Sequence, residues 1–201
     1  LSMFKGALQY GFLAFTCGIM QLANLRLDLF LVGYFLSVKE VGYYAIAVAL
    51  SNFVLRASKS VSTVLFPRYC SLDEQKSNKL TATIGRHSVF LLSMLSIVII
   101  CFGNPLIHLL YGKEYAFSYK PLLILLPGVI ALTITGLVYG NFMGKGNLKI
   151  GIYAFFVSLV FTVTLDLLLI PLWGIVGAAI ASSISYGAGA LVISRRYLEE
   201  S

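Results

Sequence analysis

The amino-acid sequence predicts an all-α integral membrane protein with six transmembrane helices. The first observation is composition: of 201 residues, 59% are apolar and 11% are charged, and the mean hydropathy is +0.90. Because soluble domains carry about 25% charged residues, this chain has too few polar side chains to cover a water-facing surface. Intrinsic disorder is excluded as well, since it requires low hydrophobicity. The second observation is that the apolar residues fall into six stretches, each close to the ~20 residues that a membrane-spanning helix needs.

The six stretches follow one another with short polar interruptions. The first contains Arg26 and Asp28 but is otherwise apolar, and we predict it as one long helix. The second is predicted to end at Pro67, because proline lacks the N–H that a helix interior uses. Residues 67–86 then form a polar cytoplasmic loop, and residues 171–174 form a short turn between the last two helices. The predicted spans are 6–36, 41–66, 87–110, 119–140, 148–170 and 174–194.

The distribution of lysine and arginine predicts how these spans are oriented. Nine basic residues fall on one side of the predicted membrane and three on the other. Since cytoplasmic loops carry an excess of basic residues, both ends of the chain are predicted to be cytoplasmic. This asymmetry accounts for most of the net charge of +7, so no nucleic-acid partner is expected. The nine are Lys5, Arg68, Lys76, Lys79, Arg86, Lys145, Lys149, Arg195 and Arg196, and the three are Lys39, Lys113 and Lys120.

The sequence lacks the patterns of a cofactor, metal or catalytic site. The three cysteines show no C-x-x-C spacing, and two histidines are too few for a histidine-rich metal centre. No cluster of paired aspartates and no Gly-x-Ser-x-Gly is present, which disfavours an enzyme. Small residues four apart, at Gly136, Gly140 and Gly144 and again at Gly177, Ala181 and Ser185, predict close helix contacts.

Charged residues inside the predicted spans are candidates for function. An ionisable residue near the bilayer centre costs about 2.5–3.5 kcal/mol, so such residues face protein or a wet cavity. Lys59 and Arg56 could instead extend toward the cytoplasmic surface, and Arg26 and Asp28 could neutralise partners within the helix bundle. Asp166, close to the turn after span five, is predicted to lie at the membrane interface.

The spacing of these residues predicts a polar path. Asn52, Arg56 and Lys59 share one face of span two, and Asn24 and Asp28 belong to a comparable polar stripe in span one. Guanidinium groups bind phosphate with two parallel hydrogen bonds, and lysine adds a point charge. We therefore predict that an anionic head group is bound, with Asp28 as a candidate for ion coupling. The predicted substrate-binding residues are Arg26, Arg56, Lys59, Asn24 and Asn52.

Four stretches in sequence order carry a family resemblance. They are Leu25–Leu50 (LRLDLFLVGYFLSVKEVGYYAIAVAL), Val64–Tyr69 (VLFPRY), Asn104–Gly128 (NPLIHLLYGKEYAFSYKPLLILLPG) and Leu165–Tyr186 (LDLLLIPLWGIVGAAIASSISY). Together they resemble the polysaccharide-unit flippases, of the O-antigen type, in the multidrug/oligosaccharidyl-lipid/polysaccharide exporter superfamily. Asp166 departs from the pattern, since such sequences more often have asparagine there.

The resemblance implies a fold and a function. It implies a transporter of two six-helix lobes around a cavity, of which residues 1–201 form the C-terminal lobe and the N-terminal lobe of the same protein is the partner. It implies a saccharide unit on a polyprenyl pyrophosphate as the substrate, turned across the cytoplasmic (inner) membrane by alternating access. Membrane lipids, and the polymerase machinery of the polysaccharide, are further candidate partners.

Two other functions compete with this one. A multidrug exporter of the same superfamily commonly carries cations, for which acidic residues rather than Arg56 and Lys59 would be expected in the cavity. A membrane-embedded lipid-modifying enzyme would need the catalytic patterns that the sequence lacks.

Overall fold

The structure, a computed structural model, describes residues 2–200 and contains no strand among them. Leu1 and Ser201, the two ends of the predicted lobe, lie outside the described residues. A short 3₁₀ helix at Lys113–Ser118 precedes α5. The α-helices are α1 (Ser2–Asn24), α2 (Leu27–Phe35), α3 (Val38–Ser71), α4 (Glu74–Tyr111), α5 (Tyr119–Gly144) and α6 (Lys149–Glu200).

The first predicted span is two helices, so the prediction of one continuous helix over 6–36 is wrong. α1 ends at Asn24, Arg26 has non-helical dihedral angles (φ −127°, ψ −24°), and α2 begins at Leu27. Neither proline nor glycine causes this break. The hydroxyl of Tyr186 on α6 donates to the carbonyl oxygen of Asn24 at 3.5 Å, so contacts with another helix satisfy polar backbone at the break. The break therefore places Arg26 between two helix ends inside a span.

The predicted polar loop over 67–86 is also wrong, because α3 continues through Pro67 and α4 begins at Glu74. Packing beyond the proline explains the extension. Tyr69 is buried against Leu137 of α5, and Asn141 of α5 donates from its side-chain amide to Thr81 at 2.6 Å. These tertiary contacts hold both helix ends in place and outweigh the local preference of proline.

α6 consists of two helical halves that fold back on each other at Gly174, where the predicted turn lies. Gly174 has φ +58° and ψ −139°, a conformation that favours glycine. On either side of it the chain runs antiparallel, since the Ser158 hydroxyl donates to the Ser185 carbonyl at 2.9 Å. A Cβ placed on Gly189 would lie 3.2 Å from the Cβ of Ser158, which shows how closely the two halves pack.

Five helical stretches are long and apolar enough to cross a membrane, which confirms the prediction of an all-α, multi-pass membrane protein. Large apolar side chains are exposed along α1, among them Phe4, Phe12, Phe15 and Leu22, as expected for a surface in contact with lipid. α5 packs against α3, α4 and α6 and supplies much of the core. The five stretches are Phe4–Phe35, Val38–Ser71, Gln75–Tyr111, Lys113–Gly144 and Lys149–Glu199.

Candidate functional site: a basic pocket and a buried acid pair

The helix break and α3 bring three of the predicted site residues to one pocket. Arg26 enters it from the break between α1 and α2, while Asn52 and Arg56 enter from one face of α3, one turn apart. The pocket has a volume of about 590 Å³, and its opposite wall is formed by apolar side chains of α4. We call it the basic pocket. The chief wall residues are Leu95, Ile99, Leu106, Leu110 and Tyr111.

The basic pocket carries two positive charges that the chain does not neutralise by contact. Arg26 and Arg56 are both exposed, and neither forms an ion pair with any residue in the described range 2–200. The positive charge of Arg26 acts on the carboxylate of Asp28, two residues away in sequence. That carboxylate is buried, however, and does not line the basic pocket. Two open guanidinium groups beside an apolar wall suit an anionic group attached to an apolar one.

The other two predicted substrate ligands lie elsewhere. Lys59 is exposed on α3 one turn beyond Arg56, outside the walls of the basic pocket. Asn24 is 1% exposed: its amide donates to the Ser158 hydroxyl at 2.6 Å, and its carbonyl accepts from Thr162 at 2.5 Å. The structure therefore gives Asn24 a role in joining α1 to α6, and its role as a substrate ligand is left without support.

Asp28 lies at the centre of a buried hydrogen-bond network. It is 1% exposed, and one carboxylate oxygen accepts from the Tyr44 hydroxyl at 2.8 Å and from the Ser182 hydroxyl at 3.1 Å. The other oxygen accepts from the backbone N–H of Leu29 at 2.7 Å. Three donors on a buried carboxylate are the arrangement that stabilises a negative charge away from water.

Asp166 is the second buried acid: its side chain faces the helix bundle, and its depth at the membrane interface stays a prediction. It is 0% exposed, and neither carboxylate oxygen has a hydrogen-bond partner among the described residues. It lies close enough to Asp28 for the two carboxylates to interact electrostatically. The antiparallel turn at Gly174 produces this burial, because it packs the end of the first half of α6 inside the bundle. Two buried acids without an internal cation need a proton or a cation from outside.

A small cavity connects the two parts of the site. It has a volume of about 10 Å³, roughly enough for one water molecule, and its walls include Asp28, Ser51 and Tyr186. Asn52 lines both this cavity and the basic pocket, so it lies between Asp28 and the guanidinium groups, whereas Asp166 does not line the cavity.

The network residues Tyr44, Ser182 and Tyr186 were not predicted as site residues. Tyrosine and serine are common inside membrane helices, and nothing in their spacing distinguishes these three. For Asp166 a signal did exist: between Lys149 and Arg195 it is the single Asp, Glu, Lys or Arg in the sequence. An isolated acid in so long an apolar stretch is a candidate functional residue by default.

Comparison with known proteins gives the family. The family model described as polysaccharide biosynthesis protein matches residues 1–120, more than half of the chain. The chain belongs to the polysaccharide biosynthesis protein family. Membership agrees with the resemblance of its sequence stretches to polysaccharide-unit flippases.

Two relatives are similar in sequence to this chain over most of the length of this chain. An uncharacterized membrane protein of Methanocaldococcus jannaschii, MJ1068, is 30% identical over 166 residues, which are 80% of this chain and 32% of that protein. The probable low-salt glycan biosynthesis flippase Agl15 of Haloferax volcanii is 23% identical over 177 residues, 86% of this chain and 37% of its own. This chain thus spans about a third of the length of these relatives.

A solved structure shows the same fold. The family member matches a multidrug resistance MATE family transporter of the MOP superfamily, in its outward-facing conformation, with a TM-score of 0.71 and 19% identity. The match covers 94% of this chain and 44% of the transporter. The fold is therefore that of slightly less than half of a MOP superfamily transporter.

Proposed function

We propose that this chain is one lobe of a flippase that moves polyprenyl-pyrophosphate-linked oligosaccharide units across the cytoplasmic membrane for polysaccharide biosynthesis. Family membership and the name of Agl15, a glycan biosynthesis flippase, support transport in polysaccharide biosynthesis rather than enzyme activity. The observation that carries the substrate class is the basic pocket, where Arg26 and Arg56 are open to an anion beside an apolar wall. The pyrophosphate binds there, and Lys59 extends the basic path along α3.

The lobe we propose covers residues 1–201 and crosses the membrane six times. Lys149–Glu199 is 51 residues long, or about 77 Å at 1.5 Å per residue, whereas the hydrocarbon core is about 30 Å thick. Because this stretch turns back at Gly174, it crosses the membrane twice. Each of the other four stretches crosses once, so the total is six. Both ends of the chain then lie on the side that is richer in basic residues, which we assign to the cytoplasm. A second lobe of the protein completes the cavity.

We place the ion coupling at Asp28, now together with Asp166. The charges of both acids must be compensated in the membrane. Asp28 lines the small cavity, which Asn52 links to the basic pocket. Occupancy of the acid pair by a proton or a cation changes the field at the guanidinium groups of Arg26 and Arg56 in the basic pocket. This is a physical route by which an ion gradient acts on substrate binding.

A multidrug exporter is the second candidate, since the solved structure with the same fold is a multidrug transporter. At 19% identity that similarity shows the fold alone. A cationic drug would meet Arg26 and Arg56 in the basic pocket and be repelled by both. The pocket therefore favours the anionic lipid-linked substrate over a cation.

Complementation tests the proposal. The full-length protein is expressed in a bacterium that lacks its own O-unit flippase, and surface polysaccharide is measured on gels at matched membrane expression. We expect the wild type to restore polysaccharide and Arg56→Ala to lower it by about tenfold or more, because a charged hydrogen bond contributes about 1.5–3 kcal/mol. Lys59→Ala, which lies outside the pocket, should have a smaller effect.

Arg68→Ala is the matched control, since Arg68 is an exposed arginine in the last turn of the same helix. An equal loss in Arg56→Ala and Arg68→Ala would show that the general positive charge of α3 matters and not the pocket. Full activity of Arg56→Ala would contradict the pyrophosphate site. Export of a cationic dye by the wild type, without restored polysaccharide, would favour the multidrug exporter.

A further inference from the structure

A second cavity lies apart from the basic pocket, between α4, α5 and the end of α6. Its volume is about 380 Å³, within the ~300–1,000 Å³ that is typical of small-molecule sites. Its walls are mainly apolar, and Arg86 alone among the described lining residues carries a charge. We call it the α4–α6 groove. The lining residues used below are Gly85, Arg86, Val89, Leu137, Val138 and Tyr197.

The sequence around Arg86 fixes the depth of this groove in the membrane. Residues 87–111 contain no Asp, Glu, Lys or Arg and form a helix of about 38 Å, longer than the ~30 Å hydrocarbon core. Arg86 therefore lies at the level of the lipid head groups at one membrane surface. Val89, one turn further along α4, already lies at the depth of the acyl chains.

Charge and space at the groove both favour an anionic ligand. Arg86 is exposed and forms no ion pair within the described part of the chain. Lys79 and Arg195, at the same end of the bundle, are also exposed and add to the positive field. Beside Arg86, a Cβ built on Gly85 would meet no atom within 4 Å, so there is open space next to α4 at the level of the arginine.

We propose that the α4–α6 groove binds an anionic phospholipid from the leaflet at that membrane surface, with an acyl chain against Val89, Leu137 and Val138 and the phosphate on Arg86. An apolar wall at acyl depth and a cation at head-group depth complement the two ends of such a lipid. A water-soluble anion would use only the arginine, and a zwitterionic lipid would gain less from the surrounding positive charge. The site differs from the basic pocket and is independent of the proposed flippase activity.

Native mass spectrometry of the full-length protein in detergent tests this site. The protein is titrated with phosphatidylglycerol and, separately, with phosphatidylcholine of the same chain length. We expect tighter binding of phosphatidylglycerol to the wild type. Gly85→Phe, which fills the open space, and Arg86→Gln, which removes the charge, should each weaken phosphatidylglycerol binding roughly fivefold, the effect expected for one basic residue near a lipid surface.

Two variants outside the groove are the controls. Gly18→Phe adds the same ring at an exposed glycine of α1 with open space around it, and Arg195→Gln removes an exposed charge at the same end of the bundle. Gly18→Phe should bind lipid like the wild type, and Arg195→Gln, which removes only part of the surrounding positive field, should weaken binding less than Arg86→Gln does. Losses in the controls equal to those in the groove variants would overturn the site in favour of general surface attraction. Unchanged binding in Gly85→Phe and Arg86→Gln, or equal affinity for both lipids, would overturn it too. If Gly85→Phe is not monodisperse, Arg86→Gln and the lipid preference decide.

Discussion

Gly128→Val should lower the midpoint of thermal unfolding by several degrees, whereas Gly136→Val, two turns further along the same helix, should not. A Cβ at Gly128 would lie 2.7 Å from the Cα of Ser183 on α6, so α5 and the second half of α6 approach with almost no space between their backbones. The Ser183 hydroxyl also donates to the Ile124 carbonyl at 2.5 Å at this contact. A side chain would force the helices apart, which costs about 3 kcal/mol by analogy with overpacked cores.

The measurement is the midpoint of thermal unfolding, followed by fluorescence-detected gel filtration of the full-length protein. A loss of 3 kcal/mol corresponds to a decrease in the midpoint of roughly 6–12 °C for a domain of this size. Gly136→Val carries the same change in helix propensity, but a Cβ at Gly136 meets nothing within 4 Å. Equal midpoints for the two variants would contradict the close contact at Ser183.

The glycines also show how far sequence reasoning can predict helix packing. Small residues spaced by four predicted contacts at Gly136, Gly140 and Gly144, and the last two do lie against Tyr69 of α3. Gly136 faces open space, whereas at Gly128, outside the motif, the backbones of α5 and α6 approach closely. Small residues four apart identify a helix that another helix can approach closely. Which turn of the helix makes the contact depends on the path of the neighbouring helix.

Helix ends were the least predictable part of the fold for a similar reason. The order of the apolar stretches follows from hydropathy, because the bilayer sets their length, whereas six stretches were predicted and five are found among the described residues. The extension of α3 past Pro67 depends on burial of Tyr69, and the break at Arg26 coincides with a hydrogen bond from Tyr186, which is distant in sequence. An analysis of the local sequence around proline and glycine does not detect such long-range contacts.

For the candidate site, residue types were predicted better than their partners. Spacing on a helix face placed Asn52 and Arg56 together, and both line the basic pocket. Sequence could not decide between Arg26 and Asp28, which are two residues apart; in the structure Arg26 lines the pocket and Asp28 is buried. The nearness of Asp166 to the turn predicted an interfacial position, but it did not predict that the side chain is buried against other helices.

The acid pair gives the prediction with the largest expected functional effect: Asp28→Asn should abolish complementation. The substitution keeps the shape of the side chain but removes the charge that three donors and Asp166 surround. Because the proposed ion coupling depends on this charge, and coupling free energies are typically about 1–3 kcal/mol, polysaccharide should decrease by at least about tenfold. Asp166→Asn removes a buried charge that has no hydrogen-bond partner among residues 2–200, so it should raise the free energy of unfolding by about 1–3 kcal/mol. Because it also removes half of the pair, it should reduce complementation.

Tyr44→Phe separates ion coupling from packing. It removes one donor to Asp28 but keeps both carboxylates, so polysaccharide should remain close to the wild-type amount although the network is weakened. If the network served only to pack α2 against α3 and α6, Tyr44→Phe would lose complementation along with Asp28→Asn. Wild-type activity of Asp28→Asn would exclude Asp28 from coupling and leave the basic pocket to be tested alone. A gain in stability together with a loss of transport in Asp166→Asn would show that the buried charge serves function. A charge kept for function lowers the free energy of unfolding while it supports activity.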